Sequence, residues 1–287
     1  KPKWAIKAVS FLNRPLEIIQ AKEDYIEIIK NPEFGYGQAV NPCIDCQIYF
    51  LKKAKEYMEK IGAKFIITGE VVGQRPMSQR KEILKLIEKK AGVEKLVLRP
   101  LSAKLLPKTI PEIKGWVDRK KLYAISGRSR KFQFELAKKY NIKEFSSPAG
   151  GCLLTDKQFA KRFNDALKYN ELDYEMARLL KIGRHFRLPQ KSKLIVSRNE
   201  GENRIIAKFK ENQNNFYVLE VSNYTRSPLG LLLLKGKEDI ILASSIVLTY
   251  SDLKSNEWKI DIWQEGKILQ SIYVQKMTKK EVSKWRL

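Results

Sequence analysis

Short apolar runs alternate with amphipathic stretches from the start of the chain to about Asn170, and this alternation constrains the fold more than any other feature. Runs this short read as strands, and a helical stretch between two of them lets them lie parallel in one sheet covered by helices. Leu16–Gln20 (LEIIQ), Lys64–Thr68 (KFIIT) and Lys95–Leu101 are the expected strands. Helices are expected over Lys3–Asn13, Pro42–Ile61, Ser78–Lys90 and Ser129–Tyr140. In the second of these, Ile44, Leu51, Ala54, Met58 and Ile61 recur at helical spacing, with Asn41 as candidate N-cap and Pro42 suited to the first turn.

Beyond Tyr174 the texture changes. Strands are expected at Lys193–Ser197, Asn215–Val221, Leu231–Leu234, Trp258–Trp263 and Lys267–Val274, with helices over Glu200–Phe209 and Glu238–Ser245. The reading is an α/β domain over residues 1–170 and a smaller α+β domain over 174–287, joined by a linker at Tyr169–Leu172.

Charge narrows the partners. The chain has 56 Lys+Arg against 32 Asp+Glu, a formal net charge of +24. A solvated ion-pair surface needs balanced signs, whereas a one-sided surplus suits a polyanion whose condensed counterions are released on binding. Nucleic acid is therefore the expected partner. No apolar run approaches the ~18–20 residues of a membrane span, and no signal peptide is visible. The chain holds three cysteines. That is an odd number and too few for a disulfide scaffold, so a reducing, cytoplasmic setting is expected.

Cys43 and Cys46 stand in N-P-C-I-D-C at an expected helix start, where i,i+3 spacing puts both sulfurs on one face. Free N–H groups and positive potential there favour thiolate. Cys152 follows two glycines in S-P-A-G-G-C-L-L-T-D, a turn suited to presenting a sulfur closely. The residues alone leave four readings open: a three-thiolate iron–sulfur cluster, a redox or persulfide pair of Cys46 and Cys152, zinc with a fourth ligand, or three separately buried thiols. Thr68 to Gln79 (TGEVVGQRPMSQ) follows a strand and precedes a helix, where open α/β sheets bind ligands; Thr68, Gly69 and Gln79 are candidate nucleotide contacts, and Ser78 is the expected helix cap. Arg99–Lys104 (RPLSAK) and Gly127–Gln133 (GRSRKFQ) also begin loops, and Arg128 and Arg130 are candidate phosphate contacts. His185 is the single histidine, flanked by Arg184 and Arg187 in a segment suited to RNA backbone and stacking contacts rather than to catalysis.

Taken in order, T-G-E-x-x-G-Q…S-Q, R-P-L, N-P-C-I-D-C and P-A-G-G-C-L-L-T-D resemble the PP-loop domain of tRNA 4-thiouridine synthases, over about Gly35 to Asp165. The closer resemblance is to a three-cysteine branch believed to hold a [4Fe–4S] cluster, as the related bacterial 2-thiouridine synthases do. G-R-H-F-R-L and V-S-R-N-E-G-E-N resemble the RNA-binding domain of NFACT-type proteins. The resemblance implies an adenine-nucleotide α-hydrolase-like parallel sheet and an ATP-dependent tRNA sulfurtransferase. It implies Gly69 and Gln79 at ATP, with one residue more between them than is typical. Cys43, Cys46 and Cys152 would hold the cluster, and Asp45 would be an orienting acid. ATP, Mg²⁺ and a [4Fe–4S] cluster are the implied cofactors, and tRNA and a sulfur donor (sulfide or a cysteine desulfurase) the partners. Arg184, Arg187 and Arg198 are expected on tRNA phosphates. The family's S-G-G-x-D-S loop is not in these 287 residues; its place is a first strand ahead of the opening helix, and we expect it upstream of Lys1. The competing expectations are a non-catalytic RNA-binding or RNA quality-control protein with a structural metal, and an ATP-independent enzyme that removes sulfur from RNA.

Overall fold

The computed structural model describes residues 3–145, 151–211 and 215–287, with side chains from Ala5 onward. Chain contacts divide it into two units, Lys1–Lys157 and Gln158–Leu287. Each is mixed α/β in composition, but only the first pairs strands in parallel.

In the first unit the helices are α1 (Lys3–Leu12), α2 (Glu23–Lys30), α3 (Cys43–Lys60), α4 (Lys81–Ala91), α5 (Ile110–Ile113) and α6 (Lys131–Lys139). Two short strands, β1 (Ile66–Ile67) and β2 (Val97–Leu98), pair in parallel, Ile66 with Val97 and Ile67 with Leu98. A parallel pair needs a crossover, and α4 supplies it. The apolar faces of α3 and α4 meet over these strands: Ile44, Ile48 and Leu51 pack with Ile87, Ala91, Val93 and Val97. Gly92 closes α4 in the left-handed region at φ 66°. The helix opens three residues later than expected. Instead of capping it, Ser78 is buried in a loop closed by Gly73 N donating to Gln79 O at 2.7 Å. The sequence Leu16–Gln20 forms no strand; without a neighbouring ladder its backbone stays irregular, and Leu16, Ile18 and Ile19 are exposed.

The second unit is a six-stranded antiparallel sheet. Its strands are β3 (Arg184–Arg187), β4 (Lys193–Val196), β5 (Phe216–Val221), β6 (Gly230–Leu233), β7 (Glu257–Gln264) and β8 (Lys267–Gln275), in spatial order β3-β4-β6-β5-β7-β8. Among them lie helices α7 (Lys157–Lys168), α8 (Tyr174–Leu179), α9 (Glu200–Ala207), α10 (Asp239–Thr249) and α11 (Lys279–Ser283). Nearly continuous apolar sequence makes α10 a core helix: Ala243, Ile246, Val247 and Leu248 pack on Leu194, Val196, Leu219, Leu232, Ile260 and Ile262. Gly230 lets helix and sheet approach, since a Cβ there would stand 2.5 Å from Val247 Cγ2.

The expected boundary at 169–172 moves upstream, and that stretch is not a linker. Leu172 and Glu171 are buried, and α7 belongs to the second unit through Phe163 and Asp165. Arg187 donates to Asp165 (3.1 and 2.7 Å) and Glu171 (2.9 and 2.6 Å), and Lys193 Nζ donates to Asp165 at 2.5 Å. Two cations facing two carboxylates neutralise one another inside the fold, the condition under which buried charge is tolerated.

Candidate functional site

Three distant segments meet in the first unit around Tyr25. The loop before α3 is held to the turn after Cys152 by Val40 N donating to Leu154 O at 3.2 Å. That turn closes on Cys152 O, which accepts from Thr155 Oγ1 at 2.6 Å. Cys43 and Cys46 occupy the first turn of α3, as their spacing requires. Tyr25, from α2, places its hydroxyl 3.0 Å from Cys46 Sγ, and Asn41 Nδ2 donates to Cys43 Sγ at 3.1 Å. Asn41 is therefore a thiol partner rather than the helix cap, a position Pro42 takes.

The electrostatics register the convergence. Burial pushes the Cys46 thiol up to about 11, against the hydrogen bond from Tyr25, and Cys43, Cys152 and Asp45 add to the rise. Burial likewise raises the Tyr25 phenol, with Cys46, Cys152 and Cys43 all contributing. Charges act on one another over several ångströms, so these thiols share one neighbourhood without touching. The expected thiolate at a helix start is overturned for Cys46, because burial and like charges outweigh the helix terminus. Among the described residues no three Cys, His, Asp or Glu side chains are grouped to hold a metal ion. Residues 146–150 of the S-P-A-G-G-C segment lie outside the described residues; Gly151 has φ 77°, as a turn before Cys152 needs.

Asp45 makes its hydrogen bonds to backbone amides rather than to a thiol. It is buried, and its two oxygens accept from Glu33 N (2.8 Å) and Phe34 N (3.3 Å), pinning that turn to α3.

The three loop motifs also come together. Gly127 N donates to Val72 O at 2.8 Å, and a Cβ on Gly73 (φ 76°) would lie 3.5 Å from Gly127 N. Ser102, fully buried, joins the third loop: its Oγ accepts from Val72 N (3.0 Å) and donates to Ile125 O (2.7 Å). Gln74 Nε2 donates to Gln133 Oε1 at 2.8 Å. The junction lies past the carboxyl ends of β1 and β2, where open α/β sheets bind ligands. Gly69 is exposed there, with nothing within 4 Å of an added Cβ. Of its companions, Thr68 Oγ1 donates to Glu70 Oε2 at 3.0 Å, and Gln79 Oε1 accepts from Arg75 N at 3.0 Å. Arg99, buried, pairs with Glu70 and Glu88, so it holds β2 to α4. Arg128 is exposed and Arg130 half-buried at the start of α6.

In the second unit the expected RNA contacts separate into two kinds. Arg187 is neutralised by Asp165 and Glu171 and stacked 4.1 Å from the Tyr169 ring, which removes it as a phosphate contact. His185 is 1% exposed and cannot reach RNA. Its Nε2 lies 2.8 Å from Ile182 O, an acceptor, so Nε2 carries the proton. Burial, and then the charge of Lys193, holds its pKa down at about 3. Arg184 instead keeps its charge toward solvent: Nη1 donates to Ser197 O at 2.9 Å and the guanidinium lies 4.6 Å from the Tyr250 ring. Arg198 pairs with Glu202 but stays exposed. A cleft of about 540 Å³ adds Lys161, Arg162 and Arg286 to these two arginines. Those three carry no periodic signature and come from α7 and the chain's last residues. Tyr25 likewise belongs to no motif, one of 12 tyrosines in the chain.

Among the described residues no helix is long and apolar enough to cross a membrane. None of the curated proteins matches the chain. Among solved structures, the C-terminal part of the fibronectin/fibrinogen-binding protein from Streptococcus suis aligns over 85% of this chain and 96% of its own, at 14% identity and a TM-score of 0.30, a likeness that carries no argument. The family comparison is specific: residues 183–286 match the RNA-binding domain of NFACT proteins, and the second unit carries an RNA-binding domain of that kind.

Proposed function

We propose that the chain couples this RNA-binding domain to sulfur insertion in tRNA, as an ATP-dependent tRNA sulfurtransferase. The observation that carries the reading is the meeting of Cys43, Cys46 and Cys152 around Tyr25. In the proposed reaction a uridine carbonyl oxygen attacks the α-phosphorus of ATP and pyrophosphate leaves, with Mg²⁺ offsetting phosphate charge. A sulfur nucleophile adds to the activated carbon, and AMP departs with the former carbonyl oxygen. The nucleotide would lie beside Gly69, where the loops led by Val72, Ser102 and Gly127 meet. Cys43, Cys46 and Cys152 would hold a [4Fe–4S] cluster, which when bound would supply the sulfur nucleophile. Tyr25 would then release Cys46, and burial by α2 and α3 would keep water from the sulfurs. Without a cluster, a cysteine desulfurase would load sulfane sulfur on Cys152 as a persulfide, and Cys46 would attack Cys152 Sγ, releasing hydrosulfide to the activated carbon and leaving a Cys46–Cys152 disulfide.

The test is a single-turnover reaction of the intact protein with tRNA, sulfide and ATP, read by nucleoside mass spectrometry. Thiouridine should form with ATP, and Cys152→Ser should abolish it. Anaerobic reconstitution with iron counting separates cluster from persulfide; a colourless protein with full activity would exclude the cluster. RNA binding with no thiouridine under any condition would leave the alternative, a non-catalytic RNA-binding protein, for which the domain match suffices.

A further inference from the structure

The second unit sorts its cations sharply. Arg187 and Lys193 are buried against carboxylates, so their charge is spent inside the fold. Lys161 and Arg184 are held by backbone carbonyls instead, Arg286 O at 3.3 Å and Ser197 O at 2.9 Å, and neither forms an ion pair among the described residues. A carbonyl fixes a cation's position without cancelling its charge. The cluster is self-repelling: after burial, the nearby charges of Arg286 and Arg198 hold the Arg184 pKa below its ordinary value, against Tyr250 and Glu202. Like charges held together by the scaffold, on a ring and on carbonyls, form a pre-organised anion site, since the ligand need not order the side chains.

Shape adds to charge. These groups line a concave cleft of about 540 Å³ rather than a flat face, built from α7, β3 and the chain's last residues. Its floor is fixed: Arg286 pairs with Phe186 in an antiparallel bridge, and Leu287 N donates to His185 O at 2.9 Å. His185 stays neutral and adds no charge near physiological pH.

We propose that this cleft is the RNA phosphate-binding site of the unit, with Lys161, Arg184 and Arg286 gripping the ribose–phosphate backbone and Arg198, exposed but paired with Glu202, at its edge. The inference rests on the RNA reading of residues 183–286 and adds where on that domain the backbone sits. Lys161, from α7, lies outside the matched segment, so the site takes in more than that segment contains. The shared chemistry is an RNA phosphate, either an internal phosphodiester or a terminal phosphomonoester.

The experiment measures binding of a short fluorescent single-stranded RNA to the intact protein by anisotropy, across a salt series. Lys161 and Arg286 are exposed, so Lys161→Ala/Arg286→Ala leaves the core untouched. The double variant should weaken binding about tenfold or more and lower the salt slope by about 1.4, roughly 0.7 for each lost phosphate contact on a single strand. Lys237→Ala/Lys267→Ala, two exposed lysines outside the cleft, should bind within about twofold of the parent. Equal losses with 5′-phosphorylated and 5′-hydroxyl RNA would identify an internal phosphate; a loss seen only with the phosphorylated RNA would identify a terminal one. Unchanged affinity and slope in the cleft variant, or an equal loss in the control, would overturn the proposal while leaving RNA binding intact. No RNA binding by the parent protein would instead refute the RNA reading beneath it.

Discussion

Lowering the pH from 7 to 5 perturbs one side chain in the second unit selectively, because the chain has a single histidine and His185 is buried in that unit. The folded protein holds the ring neutral, with a pKa of about 3 set by burial and then by Lys193. The unfolded chain titrates near 6.5, so between these values it binds a proton that the folded state refuses. Stability from this group is therefore complete above pH 6.5 and lost progressively as pH falls toward 3. At pH 5 the gap is one and a half units, a loss of about 2 kcal/mol relative to pH 7. For a unit of this size such a loss lowers the melting midpoint by on the order of 8 °C. Carboxylates with depressed pKa values, Asp165 and Glu202 among them, lose their contribution only below this window. The assay is urea unfolding at pH 7 and pH 5, followed by tryptophan fluorescence, on the parent and on His185→Gln. Glutamine keeps a donor for Ile182 O but cannot titrate. The parent should lose stability across the window and the variant should stay flat. A variant with the parent's pH slope would refute the assignment of that slope to His185.

Two further outcomes test the division between structural and ligand-facing groups. Arg187→Ala strips Glu171 of its cation and leaves Asp165 with Lys193 alone, and urea unfolding should show a loss of roughly 3–5 kcal/mol. The same variant, assayed for RNA below its unfolding range, should keep the parent's salt slope, since Arg187 faces inward. Ser102→Ala leaves Val72 N and Ile125 O unpaired in the interior and should cost about 1–3 kcal/mol, with amide exchange quickening at Val72 and Gly127. Unchanged exchange there would show that Ser102 does not hold the loop junction.

The residue pattern alone determined much that is local. Five apolar positions at helical spacing, Ile44, Leu51, Ala54, Met58 and Ile61, made α3 visible, because the pattern that buries a helix face is written in consecutive residues. The charge surplus pointed to nucleic acid for a similar reason: net charge sums over the chain whatever its path. Cys43 and Cys46 were legible as a pair, since one helical turn fixes their spacing.

Tertiary structure decided the rest, because burial and partnership depend on which distant residues arrive. Leu16–Gln20 has the composition of a strand, yet a strand exists only where a neighbour completes its ladder. Arg184 and Arg187 are three residues apart and alike in sequence, but only Arg187 meets Asp165 and Glu171, which turns one into a structural brace and leaves the other facing a cleft. Which backbone amides Gln79 and Asp45 accept from, Arg75 N and Glu33 N, is likewise set by the fold. Lys161 and Arg286 lie 125 positions apart, and Cys46 and Cys152 come from the two ends of their unit. No spacing rule reaches across such distances; the fold alone brings those charges and those sulfurs together.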